Sequence, residues 1–358
     1  MSPATGTTFS TSGHNMGMST TTTTMTNLED HCEVLTLVPG QQRPAGLTAF
    51  DASAIMGVNN YKGQLELWGE KIGKIPYSGP KFSQARKELK RAVAQMYAEK
   101  HNVVVVYWPR TLRSTDFDFM QYHVEYVICD CPDLRRGVVH DASEVSGEPP
   151  NIVAILDVRA VGINGPASTY EWDDDGVPPK YETQGLHAFA VTGVNRVVYA
   201  ALIANEGLAV RTRNYDEDDI QDLIEAEFGF WENVETKTEP EVDGSESTFR
   251  ALHKLFPTPV EGKSVTLEGG QIETYRQWAN AKDMSDTAEK LATLLRAQLE
   301  LIVGHAESIV VDGKTVITYK KSKDSERFNL DAFREANPEL AQQFTVPVPG
   351  SRRWTQKR

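Results

Sequence analysis

The run NIVAILDVRAV at residues 151–161 does most to restrict what this chain can fold into. It is apolar and rich in β-branched residues, so it reads as a strand. It carries an acid and a base two positions apart, Asp157 and Arg159. Side chains at i and i+2 of a strand share a face, so these two point the same way. An acidic loop, EWDDDGVPPK, follows, and residues 181–192 then read as a helix opening on Tyr181 and Gln184. A helix in that position can pack beside the strand and bring Gln184 to Asp157 and Arg159. VVYAALIA (197–204) and LAVRTRNY (208–215) read as further strands. DEDDIQDLIEAEFGFWENV (216–234) reads as a helix whose early carboxylates suit the positive end of its dipole.

Upstream, VLTLVPG reads as a first strand. LTAFDASAIMGV reads as a helix capped by Thr48, with Asp51 three residues on. QLELWGEKIG gives a second helix closed by Gly73. Residues 82–100 form an amphipathic helix with Phe82, Leu89, Val93, Met96 and Tyr97 on its apolar side. VVVVYW (103–108) and HVEYVIC (123–129) read as strands, which makes 31–236 a mixed α/β core. Residues 1–30 are Ser/Thr-rich and are expected to be a disordered tail. A polar stretch predicts a linker at 237–250 and a separate module at 251–358. In that module Leu291, Leu294, Leu295, Leu299 and Ile302 recur at helical spacing within 271–303. A hairpin turning on Asp312-Gly313 and a basic tail follow.

Over the whole 358 residues the formal net charge is −13, which argues against a uniformly basic nucleic-acid binder but leaves room for a local basic groove. The three cysteines, Cys32, Cys129 and Cys131, are sparse and odd in number, as in a reducing cytoplasm. Cys129-x-Cys131 has no second Cys/His pair at metal spacing. No apolar run is long enough for a membrane span, and no signal peptide is visible. A small-molecule enzyme would lack any phosphate loop, nucleophile motif or cofactor box here.

In order and spacing, GLTAFDASAIMGVNNYKGQLELWGEKIGK, a helix ending in Tyr, a strand carboxylate, the acid-x-base strand, PPKYETQGLHAFAVTG and FWENV resemble the YqaJ-type phage recombinase family. These are phage exonucleases of the PD-(D/E)xK superfamily. The resemblance runs from about Arg43 to Val234. It implies a restriction-endonuclease-like mixed sheet flanked by helices. It also implies a DNA exonuclease of homologous recombination that acts on double-stranded DNA ends by Mg2+- or Mn2+-dependent phosphodiester hydrolysis. A RecT-like single-strand annealing protein and a homo-oligomer are further expectations.

Carried over position by position, the family's helix Glu lies seven residues before a Tyr, which from Tyr97 gives Lys90. The strand Asp becomes Glu125, and Glu-x-Lys becomes Asp157-Val158-Arg159. Tyr181, Gln184 and the early basic residue Arg43 match, while the early GGSD becomes Thr48-Ala49-Phe50-Asp51. Glu125, Asp157, Arg159 and Gln184 are thus the expected catalytic set. Glu125 and Asp157 are the expected ligands of at most one ion. Arg43, Lys87, Lys90, Arg91 and Tyr181 are the expected DNA contacts. Each swapped carboxylate moves an oxygen by about 1.5 Å, and Mg2+ tolerates little departure from octahedral distances. Arg keeps the charge of Lys but not its geometry. Lys90 puts a cation where a ligand belongs, and Glu88, about 200° round the helix, faces away. Lys87, Lys90 and Arg91, with Arg86 beside them, form a basic face that can meet phosphates without metal. That face supports the alternative of a catalytically degenerate DNA-binding or scaffold protein. His187 reads more readily as a packing histidine, and His123 shares a strand face with Glu125.

Overall fold

The computed structural model describes residues 28–35, 45–77, 84–145, 149, 151–161, 172, 176–203, 207–348, 350 and 352–356. Arg43, Phe82, Asp173, Asp174, Asp175 and the expected tail to residue 27 lie outside them. The chain divides into two compact units, Met1–Phe256 and Pro257–Arg358.

The first unit is built on a mixed sheet, and its fold class is the expected one. Its strands are β1 (Cys32–Val34), β2 (Leu47–Thr48), β3 (Val104–Ser114), β4 (Met120–Cys129), β5 (Val138–Asp141), β6 (Ile152–Val161), β7 (Arg196–Ile203) and β8 (Gly207–Asn214). They run in the order β1-β3-β4-β6-β7-β8, with β2 added beside β4 and β5 beside β3. β3, β4 and β6 are antiparallel neighbours, β6 and β7 are parallel, and β8 returns antiparallel to β7. The parallel pair needs a crossover, and the helix α4 (Pro179–Thr192) supplies it. Pro at its first turn and Gly193 in the left-handed region (φ 68°) bound α4. A Cβ on Gly193 would meet the His31 ring at 2.4 Å.

Successive strand residues enter different cores. Ile155 and Val197 join one cluster, Leu156 and Val198 the other. The second cluster is covered by α3 (Gln84–His101) through Val93, Ala94, Tyr97 and Ala98. Leu89 and Met96, expected on that apolar side, are exposed instead. The first cluster draws on α1 (Ala49–Ile55), α2 (Gln64–Lys71), α4 and α5 (Glu217–Thr236). Thr48 caps α1 as expected: its backbone N–H donates to Asp51 Oδ2 at 2.9 Å.

One irregularity bears on the site. The β3–β4 register shifts between Tyr107 and Arg110, opposite Glu125. Pro109 sits in that interval and has no N–H for the ladder. Val124 and Val127 consequently line the same core although they are three positions apart in the chain, a break in strand alternation of the kind a β-bulge brings.

Two boundaries differ from expectation. Leu28–Asp30 form a helical turn, and Leu28 packs on the core. The expected linker carries the start of α6 (Glu246–Leu255), which docks on α2 through Lys254 Nζ and Glu66 Oε1 at 2.6 Å. The units therefore divide at Phe256/Pro257 rather than at 250/251.

The second unit holds α7 (Gly270–Val303), the hairpin β9 (Ser308–Val311) and β10 (Lys314–Thr318), and two short helices, α8 (Leu330–Ala336) and α9 (Pro338–Gln343). Asp312 and Gly313, both at positive φ, make the hairpin turn. No described helix is long and apolar enough to cross a membrane.

Candidate nucleic-acid interface

Asp157 and Arg159 emerge from β6 on the side of α4, and Gln184 closes the group. Arg159 Nη2 donates to Asp157 Oδ2 and to Gln184 Oε1, each at 2.6 Å. Its Nε lies 2.5 Å from Asp157 Oδ1, off the hydrogen-bond direction. The Tyr181 ring lies beneath the guanidinium at 4.3 Å, and Lys180 Nζ is 4.6 Å from the same ring. Burial opposes the charge on Arg159, but Asp157 outweighs it and holds the guanidinium above its ordinary value. The strand period and the crossover helix thus bring Asp157, Arg159 and Gln184 of the expected catalytic set together with Tyr181.

Glu125 goes elsewhere. Its Oε2 forms an ion pair with Lys90 on α3. The bulge at Pro109 explains why Glu125 reaches the α3 side while Asp157, in phase with Ile155, reaches the α4 side. The two carboxylates stem from the paired strands β4 and β6. Burial and then Asp157 push the phenol of Tyr122 upward, Arg159 opposes, and Glu125 adds to the rise. Tyr122 lies within electrostatic reach of both ion pairs and was not singled out in the sequence.

These donors do not fit Mg2+ as they stand. Both oxygens of Asp157 face Arg159, and Glu125 is engaged by Lys90. Among the described residues no group of three or more His, Cys, Asp or Glu side chains could hold a metal ion. The cation of Lys90 offsets the charge of Glu125.

The basic face is partly compensated. Arg91 binds Asp141 of β5 through two hydrogen bonds of 3.0 Å and lies 5.8 Å from the Tyr107 ring. That contact holds the Asp141 carboxyl below its usual range. Lys87 and Arg86 are exposed on α3, and Glu88 is exposed and accepts from Gln84 at 2.6 Å. Asp141 escaped the sequence reading because VVHD is too short to stand out as a strand; the only signal was its apolar start.

The remaining candidates are structural. His187 is fully buried between Glu227 Oε1 (2.8 Å) and the Gln121 carbonyl (2.9 Å). His123 is exposed and sits 3.2 Å from Thr111 Oγ1. Asp51 is held by Lys71 Nζ at 2.8 Å. Burial pushes the Cys129 thiol up to about 12, which suits an inert packing residue.

Residues 40–195 match the family model of the YqaJ-like viral recombinase domain. The uncharacterized protein YqaJ of Bacillus subtilis (strain 168) is 24% identical over 271 residues, which cover 74% of this chain and 77% of that protein. Two crystal structures of an alkaline exonuclease, LHK-Exo, from Laribacter hongkongensis align with a TM-score of 0.40. One is a complex with dAMP, at 12% identity, and the other is at 11%; both cover 54% of this chain and 89% of theirs.

Proposed function

We propose, from a YqaJ-like viral recombinase domain over residues 40–195, that this protein engages double-stranded DNA ends in phage-type homologous recombination. We further propose that its site holds DNA without metal-dependent cleavage. The observation that carries this reading is the pairing of each retained carboxylate with a cation, Glu125 with Lys90 and Asp157 with Arg159. Hydrolysis of a phosphodiester needs carboxylates free to take up divalent ions. Here the positive charge that ions would supply is already built into the chain.

Lys90, Arg159, Lys87 and Arg91 then act as phosphate contacts. Phosphate oxygens compete with Glu125 and Asp141 for Lys90 and Arg91. Arg159 is fixed by Asp157, Gln184 and the Tyr181 ring, so it presents an oriented charge rather than a mobile one. Such contacts position a duplex and carry no base information. A RecT-like annealing protein is the partner this role calls for, and the cytoplasm of a bacterial host is where it would act.

A second reading, an Mg2+- or Mn2+-dependent exonuclease, is favoured by one observation: two carboxylates persist on the neighbouring strands β4 and β6. It requires Glu125 to leave Lys90, turn from the α3 side toward Asp157 and share at most one ion with it. The experiment is direct. Linear duplex binding is measured in EDTA at several salt concentrations, and digestion is followed in Mg2+ or Mn2+ with Asp157→Ala as control. Binding should weaken with salt at a log–log slope of about −0.9 per phosphate neutralised, with no digestion. Metal-dependent digestion abolished by Asp157→Ala would establish the second reading. No binding at low salt, or binding indifferent to a Lys87/Lys90/Arg91 triple alanine change, would remove the first.

A further inference from the structure

The six tryptophans of this chain divide by environment. Trp68, Trp108 and Trp172 are buried, and Trp231 and Trp278 are half-buried. Trp354, in the second unit, is 86% exposed. An indole left in water forgoes the burial that usually makes it worth having. Trp354 does not stand alone. Its ring meets that of Trp278 on α7 at 5.8 Å and nearly at right angles (86°), and Trp278 lies 6.2 Å from Tyr275 at 35°. Tyr275 and Trp278 are three residues apart and so share a face of the helix. Tyr275 is itself 46% exposed. Neither pair is a parallel stack, and the exposure of Trp354 leaves its ring open to a planar group.

Guanidinium groups accompany the rings. Arg352 and Arg353 precede Trp354 directly and are exposed. From Gln342 to Gln356 they are the only ionic side chains in the sequence. Arg276 follows Tyr275 on α7 and is exposed, and its ion pair with Glu273, at 3.9 Å, is loose. The unit as a whole does not repel an anion. Residues 257–358 carry 15 Lys and Arg against 14 Asp and Glu, so the chain's net charge of −13 resides in the first unit.

Ring chemistry and charge together select one class of ligand. Exposed aromatic rings interleaved with arginines take up bases by stacking and phosphates by charge. In a duplex the base faces are covered by neighbouring base pairs, so only an unpaired base can stack on Trp354. An apolar protein surface would gain from the rings but would strip water from the guanidinium groups without pairing them. We infer that Tyr275, Trp278 and Trp354, with Arg276, Arg352 and Arg353, form a binding site for single-stranded nucleic acid in the second unit. Stacking and phosphate contact read neither a base edge nor a 2′-hydroxyl, so the site is indifferent to sequence and takes DNA and RNA alike. It uses none of the residues proposed to hold duplex DNA and does not rest on that reading.

Fluorescence anisotropy of labelled oligo-dT and oligo-rU, each of about 20 nucleotides, titrated with the full chain at low salt, tests it. Both should bind. Trp354→Ala should weaken each at least about fivefold, the low end of what losing one stacked base costs. Trp354→Phe should recover most of that loss, and duplex binding should be equal in the parent and both variants. Circular dichroism checks that each variant stays folded. No binding of oligo-dT at low salt overturns the proposal. So does an affinity that Trp354→Ala leaves unchanged, a loss that duplex DNA shares equally, or binding of only one of the two oligonucleotides. If vesicles of anionic phospholipid bind the chain and oligo-dT does not, the ring cluster serves a membrane surface and the proposal falls.

Discussion

Gly185→Ala isolates the packing that seats α4, and with it Gln184, against the sheet. A Cβ at position 185 would stand 1.8 Å from Tyr199 Oη, 3.0 Å from Tyr199 Cζ and 3.1 Å from Tyr215 Oη. Tyr199 is fully buried, and its hydroxyl is hydrogen-bonded to that of Tyr215 at 2.8 Å. Both rings are buried, so the bond breaks or the helix shifts. Overpacking costs about 1–3 kcal/mol, and stranding a buried hydroxyl about 1–3 kcal/mol. The intrinsic helix preference of Ala over Gly returns about 1 kcal/mol. The net loss is about 1–5 kcal/mol, a large part of a typical total of about 5–15 kcal/mol. Urea unfolding of the parent, Gly185→Ala, Tyr199→Phe and the double variant measures it. Removing the Tyr199 oxygen relieves the worst contact, so the alanine change should cost at least about 1 kcal/mol less in the phenylalanine background. A Gly185→Ala protein as stable as the parent, or an equal cost in both backgrounds, would refute this account of how α4 is placed.

Three further outcomes are expected. Lys90→Glu should create an ion site with Glu125, so that Mn2+ binding appears by calorimetry where the parent shows none; silence in the variant would place Lys90 outside the site. Asp141→Asn should release Arg91, raising duplex affinity and steepening the salt slope by about one unit; unchanged binding would mean that Arg91 does not face DNA. His187 has its pKa raised: burial lowers it, but the charge and hydrogen bond of Glu227 and the Gln121 carbonyl prevail, with Asp51 adding to the rise. Its contribution to stability is therefore complete below the unfolded value of about 6.5 and is lost as pH rises through the higher folded value. Melting temperature should fall over that window, and His187→Gln should flatten the fall; an unaltered slope in the variant would contradict the assignment.

What the sequence disclosed and what it concealed follow from the range of the forces involved. Asp157, Arg159, Tyr181 and Gln184 were legible because strand period and helix period are local, and α4 begins close to where the run 151–161 ends. Glu125 was legible as a strand carboxylate, but its direction was not. That depends on the bulge at Pro109, a residue whose position inside a strand was the available warning. The partner of Lys90 lies 35 residues away and that of Arg91 50 residues away, on strands whose pairing no local pattern announces. The Tyr199–Tyr215 bond and the glycine that admits it are likewise products of assembly. The helix α6 was hidden in a polar stretch that resembles a linker until Glu66 gives Lys254 somewhere to dock.

The margins of the sheet have a consequence for how this molecule can recruit anything. Along the outer side of β3 the described sheet ends in two short pieces, β1 and β5. Glu33 of β1 is tied across to Arg113. At the other margin β8 carries Arg211 and Arg213, with Arg213 Nε bonded to Glu182 at 3.0 Å. Brief or charged borders are poor templates for adding a strand. A visiting chain therefore finds only short pieces to copy along the β3 margin and a strand carrying charged side chains along β8, and misdirected sheet growth, the ordinary route to aggregation for a β-rich protein, is discouraged at both ends. Recognition is left to side chains, which can discriminate between partners in a way that a ladder of peptide groups cannot.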